Sequence, residues 1–278
     1  MNGQGIEAAD IVMMGKCKLC LRDAVSLQDS HYLPKGIFKI LRDDGWDNPN
    51  PWKLTKKMAV QTSKQQTAYL LCKECEQLLN KKGEAWVLKH CLRKNGEFRL
   101  ASILAARKPD LSSNDTPTKV YYASNISEIN ISALAYFAAS IFWRGSIYRW
   151  KDDGSIPVNL GPFREKFREY LMDLKPFPRD CCLLLAVREG DEFNRLTASP
   201  VSKRKDNYHV HTFPMPGLGF ALAVGKNIPA NHREKCFVHG SGNPIIVTQI
   251  IEPILEEGSL KLLNEITDRK RFDQFLVK

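Results

Sequence analysis

CKLCLRDAVSLQDSHYLPKG occupies Cys17–Gly36, and LLCKECEQLLNKKGE occupies Leu70–Glu84. Each stretch carries one CxxC pair. Two thiolates at that spacing converge on a single tetrahedral zinc ion, with Zn–S bonds of about 2.3 Å. Together Cys17, Cys20, Cys72 and Cys75 make up a complete Cys₄ set. A closed Cys₄ site keeps no open coordination position, so the zinc it predicts is structural. The rival reading of a CxxC pair, a thioredoxin-type redox centre, calls for a βαβ setting that this sequence does not display. His31 lies eleven residues past Cys20, between the two pairs, in Ser30-His31-Tyr32-Leu33-Pro34.

The rest of the composition sets the frame. The chain has 278 residues, 43% hydrophobic and 26% charged, which is globular and sufficient for one large domain or two ordinary ones. Eight cysteines are too few for a disulfide scaffold at this length. Cys91, Cys181, Cys182 and Cys236 fall in apolar surroundings and read as small buried hydrophobes. No apolar run reaches the roughly 20 residues of a membrane helix. The opening MNGQGIEAADIVMMGK lacks the pattern of a secretory signal, so the expectation is a cytoplasmic protein without membrane contact. A net charge of +10 favours polyanionic partners, nucleic acid above all.

Along the chain, residues 1–15 read as a loose lead-in, 16–106 as a zinc-binding unit, 107–119 as a linker or long loop, and 120–278 as a separate α+β unit with an antiparallel sheet. In the first unit, PKGIFKILR (Pro34–Arg42) suits a short helix, and Glu74 to about Leu92 a longer one. In the second, Asn125 with Glu128 predicts the N-cap of a long buried helix, ISALAYFAASIFWRGSIYRW. Its aromatics read as core. Pro162 opens a further helix, with Phe163, Phe167, Tyr170 and Leu171 on one face. Strands are predicted at Cys182–Val187, Tyr208–Phe213, Phe220–Val224 and Ile245–Ile251, with PMPGLG as a turn, VSKRKDN (Val201–Asn207) as a basic loop, and a last helix capped by Ser259. His209 and His211 alternate and share a strand face, but with no third ligand nearby they read as packing or surface residues.

The segments C17-K-L-C20, S30-H31-Y32-L33-P34 and L71-C72-K73-E74-C75-E76 resemble the HNH (ββα-metal, treble-clef) endonuclease superfamily in its zinc-stapled branch. They are also similar to a group of bacterial proteins with SHxxPK followed by LLCxxCE and a C-terminal α+β region. The resemblance covers about residues 17–90. It implies an α+β fold with a treble-clef, zinc-bound N-terminal domain that hydrolyses DNA phosphodiester bonds, and by analogy a use in defence against foreign DNA.

By this resemblance His31 is the general base, and a neutral imidazole has the affinity to take a proton from water. A catalytic Mg²⁺ or Mn²⁺ is implied, with Ser30, Glu76 and Asn80 at the ligand positions. Glu76 and Asn80 are four apart and share a helix face, and their oxygens suit a hard cation. Three positions depart from the family pattern: Ser30 replaces an acidic residue or histidine, Glu76 replaces a histidine, and the middle asparagine is absent. Gln61 and Gln66 are the candidates to orient the base in place of that asparagine. Lys35, Lys39 and Arg42, with Lys56 and Lys57 in the inserted segment, are candidates for tracking a phosphate backbone. The competing class is a non-catalytic zinc module that recognises nucleic acid or a protein partner. For residues 120–278 the expectation is targeting, a protein partner or a homo-oligomer.

Overall fold

The computed structural model describes residues 12–42, 48–54, 59–91, 97–112, 118–151, 154–188, 196–205 and 207–248. Lys56, Lys57, the Ser259 helix and the end of the Ile245–Ile251 strand lie outside them, as do residues 113–117 of the 107–119 segment.

The first half is built on a three-stranded sheet of β1 (Met14–Gly15), β2 (Val25–His31) and β5 (Thr67–Cys72), in the order β1-β2-β5 and antiparallel throughout. Between β2 and β5 come α1 (Lys35–Leu41) and the short strands β3 (Trp52–Leu54) and β4 (Ala59–Gln61). Proline before Lys35 ends β2 and starts α1, because it pushes the residue before it to extended geometry and fits a helix start. β5 runs directly into α2 (Lys73–Leu79), which continues through a π-helical turn (Asn80–Glu84) into α3 (Ala85–His90). The predicted helix is therefore present, with a bulge at its centre. There the Ala85 N–H reaches back five residues to the Asn80 carbonyl.

The second half centres on a seven-stranded sheet. Its strands are β6 (Leu111–Ser112), β7 (Thr118–Tyr122), β8 (Cys181–Arg188), β10 (Val201–Arg204), β11 (Tyr208–Met215), β12 (Leu218–Gly225) and β13 (Pro244–Thr248), in the order β10-β11-β12-β8-β13-β7-β6. All pairs are antiparallel except β8 with β13. A parallel pair needs a long crossover, and the chain between Arg188 and Pro244 supplies one. The first four residues of the basic segment expected as a loop, Val201–Arg204, form strand β10, paired with β11. Pro216-Gly217 turns β11 into β12, with Gly217 at φ 76°, where glycine carries no Cβ penalty. β9 (Leu196–Ala198) pairs with β3, completing a third sheet, β4-β3-β9. The remaining helices are α4 (Arg99–Ala105), α5 (Ile131–Ile147), α6 (Phe163–Leu171) and α7 (Ala230–Glu234).

α5 is the hub. Every residue from Ala133 to Ser146 is buried, as its apolar composition on all sides requires. It packs against the π turn on one side and α6 on another, while Phe137 meets Phe220 of β12 and Phe142 meets His211 of β11. Its N-cap is Asn130, whose side chain accepts from the Ala133 N–H at 2.9 Å. The expected cap at Asn125 is displaced because Ala123–Asn125 form a 3₁₀ turn, and Glu128 pairs with Arg107. One hydrophobic cluster runs from Cys17 to Val247 through both halves. The contact is close at Gly83, where a Cβ would lie 2.9 Å from the Phe137 amide nitrogen.

His211 is wholly buried, with Nδ1 2.8 Å from the Ser202 hydroxyl and its ring stacked on His209. Burial, and then the charge of His209, lowers its pKa to about 4. An unfolded histidine takes up its proton near pH 6.5. Between these values the unfolded chain binds more protons, so stability falls as pH falls through that window, by on the order of 3 kcal/mol if complete. Urea midpoints are expected to drop more steeply from pH 7 to 5.5 in the wild type than in His211→Gln. Parallel curves would exclude this residue as a source of acid sensitivity.

Candidate metal centres

Four sulfurs converge as the spacing requires. The ligand atoms of Cys17, Cys20, Cys72 and Cys75 all lie within 4.8 Å of one another, and no other group of three or more such residues does so among the described residues. Cys20 Sγ and Cys72 Sγ are 3.8 Å apart, close to the edge of a tetrahedron with bonds of about 2.3 Å. The cluster fits a structural metal ion, zinc by its donor set. Local backbone explains the convergence. The Leu21 N–H bonds the Cys17 carbonyl, and Leu21 and Ala24 adopt left-handed φ of 63° and 50°, turning the chain tightly after Cys20. The Cys72 N–H points at Cys17 Sγ, and Cys75 follows in the first turn of α2. Contact with Cys75 lowers the Cys17 thiol to about 4, and the same contact pushes Cys75 up.

Arg22 lies across the cluster. It donates to Cys20 Sγ at 3.4 Å and Cys72 Sγ at 3.3 Å, and pairs with Glu74 at 2.8 Å. Donors to thiolates offset the negative charge of a Cys₄ site and orient its ligands. Arg22→Ala is expected to retain zinc but release it to a chelator roughly ten-fold faster. An unchanged release rate would contradict that role. From the second half, Arg168 of α6 donates to the Leu19 carbonyl at 2.8 Å and holds the turn from outside.

A second constellation stands beside the first. His31 at the end of β2, and Glu76 and Asn80 on the α2–π helix, line one solvent-open cleft of about 600 Å³. Lys35 and Lys81 stand in the same wall, both exposed. Glu84 and Arg144 also line it. One Glu76 oxygen, Oε1, is buried and has no hydrogen-bond partner among the described residues. An orphaned carboxylate oxygen, on a residue that shares its cleft with an amide and an imidazole, fits a hard divalent cation such as Mg²⁺ or Mn²⁺.

Ser30 is not brought to this cleft. Successive strand residues face opposite ways, so a serine just before His31 turns inward. It is 2% exposed, with its hydroxyl accepting from the Leu71 N–H and donating to the Gln28 carbonyl. Gln66 is engaged elsewhere, donating to the Trp150 carbonyl, and Gln61 Nε2 meets the Asn48 carbonyl. Lys39 and Arg42 are exposed on and just after α1.

Packing against α5 seats the strand end that carries His31. Tyr32 stacks on Trp150 with ring centroids 5.0 Å apart, and the Trp150 indole donates to the Arg144 carbonyl. At Gly145 a Cβ would fall 2.4 Å from the Tyr32 hydroxyl oxygen, so the close approach requires glycine.

Lys81, Glu84 and Arg144 are cleft residues that the sequence reading missed. Glu84 extends the spacing 76, 80, 84, and Arg144 is a lone cation in an apolar run; both signals were present in the sequence.

No protein-family profile matches the chain, and comparisons with curated proteins and with solved structures give no match either. Among the described residues, no helix is long and apolar enough to cross a membrane.

Proposed function

We propose that the chain is an HNH-like, metal-dependent endonuclease acting on DNA, with a zinc-stapled ββα-metal module as its N-terminal unit. The observation that carries this reading is the meeting of His31, Glu76 and Asn80 in one open cleft beside the Cys₄ cluster. The order β2, β5, α2 supplies the two strands and helix that the resemblance implies.

In this reading a ring nitrogen of His31 takes the proton from an attacking water. Glu76 and Asn80 would hold the divalent cation through oxygen. That cation, when bound, supplies Lewis-acid stabilisation of charge on the phosphate. Lys35 and Lys81 draw the anionic backbone to the cleft. The Cys₄ set would hold a zinc outside the chemistry, tying the Cys17–Cys20 turn to the junction of β5 and α2. Eight free thiols suit a reducing cytoplasm.

The burial of Ser30 favours a second reading, because it leaves the cation one ligand fewer. In that reading the module recognises nucleic acid or a protein partner without cutting. The test is zinc-loaded protein with supercoiled plasmid, and separately with RNA, in EDTA, Mg²⁺ or Mn²⁺. Nicking of the plasmid that depends on the added cation is the expected result. Retention of DNA with no nicking in any metal would replace the nuclease by the recognition module.

A further inference from the structure

Neither the resemblance nor the mechanism above uses Arg144 and Glu84. Arg144 lies in α5, which belongs to the second half of the chain, and is 2% exposed. Arginines are rarely buried in this way unless they are paired. Its Nη2 donates to Glu84 Oε1 and stands 4.0 Å from Glu76 Oε2. One guanidinium therefore spans two carboxylates that are eight residues apart on the α2–π–α3 helix.

The π turn makes this reach feasible. With 3.6 residues per turn, a pure α-helix would carry residue 84 about 80° around the axis from residue 76. The wider turn at Asn80–Glu84 alters that drift, and both glutamates line the same cleft. Gly83 then lets this turn touch the α5 backbone near Phe137, bringing Arg144 within reach.

The two oxygens of Glu76 have different surroundings. Oε2 faces Arg144, whereas Oε1 is buried without a partner among the described residues. A carboxylate steered at one oxygen and free at the other is oriented as metal ligands are by their outer partners.

We propose that Arg144 is a positioning residue: anchored by Glu84, it fixes the Glu76 carboxylate so that Oε1 is presented to a divalent cation in the cleft. The inference rests on the reading of that cleft as a cation site. Its consequence is that α5 completes the site, so residues 120–278 contribute to the chemistry of the first half. Charge alone does not explain the arrangement, since Glu84 offsets Arg144.

The test is Mn²⁺ binding to the zinc-loaded full chain, followed by the EPR signal of the free ion. The double variant Arg144→Gln/Glu84→Gln keeps the net charge, so any change reports positioning. Mn²⁺ affinity is expected to fall 10- to 100-fold at unchanged zinc content and circular dichroism. Arg144→Lys, which keeps the charge but loses the planar fork, should show a smaller loss and serves if the double variant misfolds. Glu76→Gln calibrates the site. If Glu76→Gln binds Mn²⁺ like the wild type, the cation site fails whatever Arg144 does. If Glu76→Gln abolishes binding while the double variant or Arg144→Lys binds like the wild type, the positioning role is overturned. With DNA, kcat should fall at constant KM. A raised KM with unaltered Mn²⁺ affinity would make Arg144 a phosphate contact and would also overturn the proposal.

Discussion

Cys75→Ser is expected to yield a chain without zinc that melts well below the wild type. The sheet β1-β2-β5 contains strands of only two, seven and six residues. So small a unit buries little apolar surface by itself, and modules of this kind draw their folding energy from the metal. In zinc-finger peptides that contribution is about 10–16 kcal/mol at neutral pH. Contacts with α5, and the Arg168 bond to the Leu19 carbonyl, supply part of the stability independently. The loss should therefore be smaller than the peptide figure but still large. About 5 kcal/mol would lower the melting temperature of a protein this size by roughly 10–20 °C. Metal analysis and calorimetry on Cys75→Ser and on Cys91→Ser make the check. Cys91 is equally buried but outside the cluster, so its variant should keep about one zinc per chain. A metal-free Cys75→Ser chain that melts with the wild type would contradict a structural role.

How much of this was legible in the sequence depends on how local each feature is. The Cys₄ cluster was readable because each CxxC pair is closed locally, one by a tight turn and the other by the first turn of α2, and only the joining of two pairs needs the fold. The strands β8, β11 and β12 and the helices α1, α5 and α6 follow from short-range periodicity, and the sequence reading placed them. Ser30 was misassigned because motif spacing ignores the alternation of a strand, which sends neighbouring side chains to opposite faces. The cap of α5 fell at Asn130 because two asparagines five residues apart offer the same signal, and only the 3₁₀ turn at Ala123–Asn125 decides between them. The parallel pairing of β8 with β13 joins segments separated by four strands and α7, so no local pattern announces it. Arg144 joins Glu84 across 60 residues of sequence, and nothing in the apolar run around it names its partner.

His31→Ala is the second large effect. Removing a general base costs roughly 10²–10⁴-fold in the chemical step. The substitution lies at the edge of β2, and the neighbours that seat the strand are untouched: Ser30 keeps its bonds to Leu71 and Gln28, and Tyr32 its stack on Trp150. Zinc content, folding and DNA affinity should all remain near wild-type levels. The effect should appear in kcat alone, because the imidazole contributes to proton transfer and little to holding the backbone.

The most direct measurement is the rate of plasmid nicking by zinc-loaded wild type and His31→Ala, purified in parallel and assayed in Mg²⁺ and in Mn²⁺. The account predicts cation-dependent nicking by the wild type and a rate at least 100-fold lower in the variant, on the order expected for a lost general base. Equal rates in the two proteins, or no nicking by the wild type in either metal, would contradict it.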